Sequence, residues 1–592
     1  MSAKKPSRPG SGRRDDSGAR GGSPLPPLRE RDRVRGSPTS SADSRDTRNA
    51  SRGSDSRRDS RGSDSPGSDR RGSDSRRASR GSDFRGDARA TSRAAQSDER
   101  GDSRGSDSRS GFGSRGEARA DAHAGADSRI SDSRRDSRGS DSRSNSRSAS
   151  RPRARAPTAR ELAIRVLSRV AATDAYLNVV LDTVLDESPP DDPRDAGLVT
   201  ELCYGATRRQ LTLDAVLMKF ADRGLDAIED RVLAALRLGV YQLFFMRVPK
   251  HAAVGETVDA LKAAGVERAA GFVNAILRKV SALEALPAAE GDDVAKLEFE
   301  TSHPAWLVKR WIRQFGPERA RTMLHADNDA PSVVIRTNTS KLTRDELLAQ
   351  FADAGVACRP TTLSPLGVVL ENPGRVEELY GYAEGLWQVQ DEAAQLVGVF
   401  AQVPPNARVL DACAAPGGKA CHLAQSNDVI AIDVHANKLP KIQSEAKRLG
   451  LLERLKTQRV DASKELPSEL GEFDVVMVDA PCAGLGTLRR HPELRYRRQE
   501  KDLGPLAHLQ REILEQCQQV VKPGGLLVYA VCSTDAMEGA DQIEMFLRSH
   551  PDFTTEPPRG LDALPTWQGH LRTLPGPEGL DGFFAARLRK MY

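Results

Sequence analysis

The residues with most chemical content sit where short apolar runs end. Residues 408–419 read Arg-Val-Leu-Asp-Ala-Cys-Ala-Ala-Pro-Gly-Gly-Lys. Val409-Leu410 ends on Asp411, small residues and a Pro-Gly-Gly turn follow, and Lys419 opens a helix-compatible segment. A strand that runs into a glycine turn and a helix start presents backbone N–H groups at the carboxyl edge of a sheet, where α/β proteins bind ligands. Asp433 closes a second run, Asp461 a third and Asp479 a fourth. Cys482 follows in Asp479-Ala-Pro-Cys, and Cys532 in Tyr529-Ala-Val-Cys-Ser. These strand ends read as one site.

The carboxylates narrow the ligand. The turn is neither a Gly-x-Gly-x-x-Gly nor a Walker A loop, which weighs against NAD and ATP. A carboxylate after the second strand can accept from both hydroxyls of a ribose, and Asp461 can accept from an adenine amino group. Four carboxylates repel phosphates but suit the ribose, adenine and ammonium of S-adenosylmethionine. The competing role for Asp433 or Asp461 is a helix N-cap.

The elements that must position these groups follow from composition and periodicity. The 592 residues allow several domains. Residues 1–156 hold 38 Lys/Arg against 23 Asp/Glu, a net of +15, in a loose Arg/Ser/Asp/Gly repeat with almost no large apolar residue. Such a segment cannot bury a core, and we expect a disordered tail, either a solubilising extension or a nonspecific RNA arm. The remainder carries 51 Lys/Arg against 60 Asp/Glu, a net of −9, so the body is mildly acidic although the whole chain is +6. No secretory h-region or 18-residue apolar run is present, so neither export nor membrane insertion is expected. Seven cysteines without a Cys-x-x-Cys pair point to reduced thiols in a cytoplasm, with no disulfide framework and no metal site.

Residues 157–285 read as an all-α bundle. It opens on the capping box Thr158-Ala-Arg-Glu161 and includes a buried helix from Val232 to Met246 and another from Ala270 to Val280. Residues 286–325 read as a helical connector. Residues 326–380 give a small α+β unit, with strands at Ser332-Val-Val-Ile-Arg and Val368-Val-Leu around a helix capped by Thr343. Its strands show no aromatic residue with which to stack RNA, so it reads as a scaffold. Residues 381–592 alternate strands (408–411, 429–433, 457–460, 473–479, 526–531) with helices (Leu439–Leu449, Leu506–Val521), the pattern of a doubly wound, largely parallel sheet.

Three motifs carry a family resemblance. Asp411-Ala-Cys-Ala-Ala-Pro-Gly-Gly-Lys, Asp479-Ala-Pro-Cys-Ala-Gly-Leu-Gly-Thr and Tyr529-Ala-Val-Cys-Ser are similar to the signatures of RNA 5-methylcytosine methyltransferases. Tyr204-Gly-Ala-Thr-Arg-Arg and Phe272-Val-Asn-Ala-Ile-Leu-Arg resemble the NusB-type RNA-binding bundle, and residues 326–380 resemble a ferredoxin- or RRM-like subdomain. Together, residues 157–592 resemble the bacterial 16S rRNA cytosine-C5 methyltransferases of the Sun/Fmu (RsmB) type, whose closing strand is matched by Gly579-Leu-Asp-Gly-Phe-Phe-Ala-Ala-Arg-Leu.

The resemblance implies a multidomain protein: a NusB-like bundle, the small subdomain and a Rossmann-like α/β methyltransferase domain using S-adenosylmethionine. It implies that Cys532 attacks carbon 6 of cytosine, that Cys482 assists product release, and that Asp479 faces the base. Cys413, Ala414, Ala415, Pro416, Gly417, Gly418 and Lys419 would line the cofactor with Asp433, Asp461 and Asp479. The run Leu488-Arg-Arg-His-Pro-Glu-Leu-Arg-Tyr-Arg-Arg is the densest basic segment of the body. We read Arg489, Arg490, Arg495, Tyr496, Arg497 and Arg498 as an RNA-contacting loop, and Arg208, Arg209, Arg278 and Lys279 as candidate phosphate contacts. The expected partner is 16S rRNA before or during small-subunit assembly, met by a monomer. The competing readings are a tRNA cytosine-C5 methyltransferase and a catalytically idle assembly factor.

Overall fold

The computed structural model describes residues 155–592, so the expectation for the basic tail lies outside the described residues. The first body is helical: α1 (Ala159–Ala172), α2 (Leu177–Glu187), α3 (Pro193–Arg208), α4 (Gln210–Met218), α5 (Asp230–Phe245), α6 (Lys250–Ala263) and α7 (Ala270–Ser281). The capping box closes: Glu161 N donates to Thr158 Oγ1 (3.3 Å), and Thr158 N donates to Glu161 Oε2 (2.7 Å). The expected central helix is α5, whose Ala235, Leu236, Leu238 and Val240 are fully buried. Its crossing with α3 requires Gly205, where a Cβ would lie 2.0 Å from Tyr241 Cζ.

Helices α8 (Asp293–Thr301), α9 (Ala305–Phe315) and α10 (Pro317–Ala326) follow. They are no loose connector: Leu297, Leu307, Trp311 and Met323 share one core with Leu485, Leu488, Leu494 and Leu503, far along the chain. The small subdomain is an antiparallel sheet in the order β2-β3-β1-β4, built from β1 (Val333–Thr337), β2 (Cys358–Pro360), β3 (Gly367–Leu370) and β4 (Trp387–Val389), with α11 (Arg344–Asp353) packed on it. Its one strand aromatic, Trp387, is buried against Phe351 and donates from Nε1 to the Tyr380 carbonyl (2.9 Å). It therefore offers no stacking platform.

The last body contains β5 (Arg408–Asp411), β6 (Asp428–Asp433), β7 (Leu455–Arg459), β8 (Phe473–Asp479), β9 (Val521–Val531), β10 (Phe553–Thr555), β11 (Thr566–Trp567), β12 (His570–Thr573) and β13 (Phe583–Lys590). The strand order is β11-β12-β13-β9-β8-β5-β6-β7, with β10 on β13. Strands β5 to β9 are parallel, and β13, the expected closing strand, runs antiparallel to β9. The order reverses between β5 and β8, which opens the crevice in which such sheets hold ligands. One face is covered by α12 (Glu392–Ala401), α13 (Gly418–Leu423) and α14 (Leu439–Leu449). Helices α16 (Leu503–Cys517) and α17 (Ala540–Ser549) cover the other. The fifth strand begins at Val521 rather than at 526, and α16 correspondingly stops at Cys517. Among the described residues, no helix is long and apolar enough to cross a membrane.

The three bodies are joined by the chain between β8 and α16, which contains the short helix α15 (Leu494–Arg497). Arg495 is 1% exposed, donating from Nη1 to the Arg208 carbonyl (3.0 Å) and Asn328 Oδ1 (2.9 Å) and from Nη2 to the Asp327 carbonyl (2.6 Å). Tyr496 donates from its hydroxyl to the Thr207 carbonyl (2.8 Å). Arg497 caps the end of α1 through the carbonyls of Val170, Thr173, Asp174 and Ala175, at 2.9 to 3.0 Å. Removing one buried donor strands several acceptors, each at a desolvation cost. Arg495→Met is expected to destabilise the protein by about 3 kcal/mol, read as a lowered thermal-unfolding midpoint.

Candidate active site

The site begins with the loop after β5. Ala412 N donates to the Met477 carbonyl (2.9 Å) and Ala414 N to the Ile432 carbonyl (3.0 Å), so the loop is stitched to both neighbouring strands. Gly417 turns it into α13 at φ +106°, a left-handed conformation that favours glycine. Two side chains hold it from outside. Asp433 Oδ2 accepts from Ala415 N (3.2 Å) while its Oδ1 accepts from His435 N (2.8 Å). Arg336, fully buried on β1 of the small subdomain, donates from Nη1 to the Gly418 carbonyl (2.9 Å), and also to Gln388 and Gln390. The small subdomain thus acts as a scaffold for this loop. Composition alone could not assign that role to Arg336, because its partners lie on two other segments.

Asp411, Lys419 and Asp479 form a charged group at the crevice. Lys419 Nζ is 2.7 Å from Asp479 Oδ2 and lies 5.1 Å from the Phe583 ring centroid. Burial pulls the ammonium down, but Asp479, with Cys532 and Asp411, outweighs it and raises Lys419. Asp411 is fully buried, and among the described residues neither of its carboxylate oxygens has a hydrogen-bond partner. Burial, reinforced by the Asp479 charge and opposed by Lys419, pushes its carboxyl up to about 7. Asp461 lies just beyond β7 and is exposed, with Oδ1 accepting from Ser463 N (3.1 Å) and Oγ (2.7 Å).

The two cysteines meet. Cys482 Sγ and Cys532 Sγ are 3.3 Å apart, on the loops that leave adjacent strands β8 and β9. The hydrogen bond with Cys532 and burial raise the Cys482 thiol, which therefore holds its proton. Burial, with Cys517 and nearby carboxylates, likewise raises Cys413, which lies in the loop after β5. Cys203, Cys421 and Cys517 are fully buried and Cys358 half-buried, the behaviour expected of packing residues.

Glu538 was not singled out from sequence, yet it ties the two cysteine loops together. Its Oε1 accepts from Ala483 N (2.8 Å), next to Cys482, and from Gln510 Nε2 (3.2 Å). Its Oε2 accepts from Ser533 Oγ (2.6 Å), next to Cys532. The signal available in sequence was one of several acidic residues that follow Cys532, too common to weigh.

The basic run departs from expectation. Most of it does not form an open RNA-facing loop; it joins the domains. Arg495, Tyr496 and Arg497 satisfy buried carbonyls as described above. Arg489 is buried, donating to the Gly579 carbonyl and to Asp581 Oδ1 (3.1 Å). Arg490 is held between Asp581 Oδ2 (2.7 Å) and Asp391. Within the run, Arg498 alone leaves both terminal nitrogens without a hydrogen bond among the described residues; its Nε donates to the Ala483 carbonyl (3.2 Å). In the bundle, Arg208 is buried and Arg209 donates to the Glu300 carbonyl (2.9 Å), whereas Arg278 and Lys279 are exposed. Guanidinium groups match interior carbonyls as well as they match phosphates. Among the described residues, no cluster of three His, Cys, Asp or Glu could hold a metal.

Known proteins share this arrangement. Residues 400–589 match the model of the 16S rRNA methyltransferase RsmB/F family, residues 157–282 that of the NusB family, and residues 303–377 that of the ferredoxin-like domain of RsmF/B-like methyltransferases. The chain is 35% identical over 448 residues to the probable ribosomal RNA small subunit methyltransferase B of Bacillus subtilis, covering 73% of this chain and 99% of the relative. It is 37% identical over 445 residues to ribosomal RNA small subunit methyltransferase B of Pseudomonas putida, covering 73% and 98%. The crystal structure of PH0851 has a TM-score of 0.65 at 25% identity, over 73% of this chain and 98% of that one.

Two outcomes test this geometry. Glu538→Ala is expected to lower turnover about 100-fold, since small misplacements of reacting groups cost that much, while Glu538→Gln keeps most of it; methyl transfer under single-turnover conditions measures both. For Asp411, a carboxyl raised on folding stabilises at low pH, and that contribution is lost as pH rises through about 7. Asp411→Asn should flatten this part of the ligand-free thermal midpoint against pH.

Proposed function

The chain belongs to the 16S rRNA methyltransferase RsmB/F family, an RNA methyltransferase family, and on that premise we propose that it methylates carbon 5 of a cytosine in small-subunit rRNA through a covalent Cys532 adduct. The observation that carries the reading is the pair of thiols 3.3 Å apart beside the Lys419–Asp479 ion pair. Carbon 5 of cytosine is a weak nucleophile. Addition of the Cys532 thiolate to carbon 6 makes the ring an enamine whose carbon 5 can attack an electrophilic methyl. Loss of the carbon 5 proton then lets the thiol leave, so one hard step becomes easier ones.

S-adenosylmethionine supplies, when bound, a methyl group on a sulfonium. The residues present fit it. The loop 413–419 offers small side chains and backbone N–H groups, and Asp433 and Asp461 keep acceptor capacity for hydroxyl and amino groups beyond their protein bonds. The cation at the crevice, Lys419, is neutralised by Asp479, so nothing there recruits a phosphate. In this reading Asp479 is the carboxylate that supports protonation of the base at N3 during attack, and Cys482, next to Cys532, assists release of the product.

These roles separate by mutation. Cys532→Ala should abolish methylation and covalent capture of RNA. Cys482→Ala should instead accumulate a denaturation-resistant RNA–protein adduct. Gel analysis of labelled small-subunit rRNA after incubation with S-adenosylmethionine distinguishes them; adducts with the Cys532 variant and none with the Cys482 variant would reverse the assignment.

A further inference from the structure

An aromatic from the helical bundle stands at the entrance of this site. Tyr176 lies between α1 and α2, in a segment gripped from both sides by the catalytic domain. Arg497 takes the carbonyls of Thr173, Asp174 and Ala175, and Glu493 Oε1 accepts from Leu177 N (3.0 Å). Side chains that pinned a segment merely for packing would bury its aromatic. Tyr176 is instead 42% exposed. Its ring meets His491 edge to face, with centroids 5.0 Å apart. Burial of part of the ring raises the phenol, and the Arg498 charge opposes it. Arg498 itself bonds to the carbonyl of Ala483, one residue from Cys482, with no hydrogen bond from its terminal nitrogens among the described residues.

We infer that Tyr176, His491 and Arg498 form the RNA-side rim of the active site, where an unpaired nucleotide next to the target base stacks on Tyr176 and its phosphate meets Arg498. The inference rests on the RNA methyltransferase reading above and adds to it a substrate-positioning role for the helical bundle. The physical basis is general. Single-stranded RNA is held by stacking on aromatic faces and by guanidinium groups on its backbone, and a ring fixed before binding loses little freedom on contact. Burial moreover keeps His491 neutral, so the rim offers stacking surface beside a single cation.

The test uses the full chain and a transcript of the organism's own small-subunit rRNA. Tyr176→Ala should raise the KM for RNA about tenfold, within the range for loss of one base–aromatic stack. It should change kcat less and leave S-adenosylmethionine affinity by calorimetry and the thermal midpoint near wild type. Tyr176→Phe should rescue most of the RNA affinity. Direct RNA binding by filter retention, which requires no chemistry, should weaken in parallel with KM. A wild-type KM and RNA affinity in Tyr176→Ala would overturn the rim, as would equal losses in the Ala and Phe variants. A fall in thermal midpoint and cofactor affinity along with RNA binding would show an interface role instead and would also overturn it. Failure of the underlying reading is distinct: wild-type protein would then yield no methylated cytosine, whatever the Tyr176 variants do in RNA binding.

Discussion

The parallel pairing of β8 with β9 sets everything else at the site. In that register Asp479 stands opposite Ala530, so the loops carrying Cys482 and Cys532 leave the sheet side by side. A slip of one residue would turn every side chain of a strand to the opposite face and separate the thiols. Two buried layers hold the register: Met477 and Val528 pack on one face of the sheet, and Val476, Val478, Leu527 and Tyr529 on the other. Beyond the strand ends, regular hydrogen bonding stops, and Glu538 replaces it with acceptors for both loops. The backbone of Gly486 continues the link, donating to the Cys532 carbonyl (3.1 Å) and accepting from Gly582 N (2.7 Å). That approach leaves no room for a side chain, since a Cβ on Gly486 would lie 1.8 Å from the Gly582 carbonyl oxygen.

A second constraint is the cost of burying charge. The segment between β8 and α16 puts several arginines inside the protein, and each is compensated locally. Arg489 and Arg490 share Asp581, Arg490 also meets Asp391, and Arg495 is surrounded by carbonyl oxygens. Asp327 and His303 form a further buried pair, 3.5 Å apart, where burial pushes the Asp327 carboxyl up to about 7 and pulls the His303 imidazole down. An interface built this way is directional, because a guanidinium needs its acceptors in fixed places. It fixes the helical bundle against the segment between β8 and α16 in one arrangement, and that arrangement sets Tyr176 against His491.

Much of this was legible in the chain. The capping box at Thr158, helix α14 over Leu439–Leu449, the strand ends at Asp411, Asp433 and Asp479, and the Pro-Gly-Gly turn all depend on neighbours within a few residues, where pattern and propensity act. The two cysteines could be assigned to strand ends on the same grounds. The basic run could not be read correctly, because a string of arginines has the same appearance whether it faces solvent, phosphate or interior carbonyls. The partners of Arg495, Tyr496 and Arg497 lie some 160 to 330 positions away, in the bundle and beside the connector. Glu538 and Arg336 were missed for the same reason: each gains its meaning from atoms on other segments.

The sequence by itself therefore determined which local units form and which reactive groups each of them carries, since strands, turns and caps are specified by short-range patterning. Only the tertiary structure decided which of those groups meet. It placed Cys482 against Cys532, Lys419 against Asp479 and Arg336 against the loop after β5, and it turned most of an apparent RNA-binding loop into the joint between domains. The physical reason is that burial and pairing of charge are properties of the assembled chain: an arginine is kept inside only where distant backbone carbonyls and carboxylates converge to replace its water.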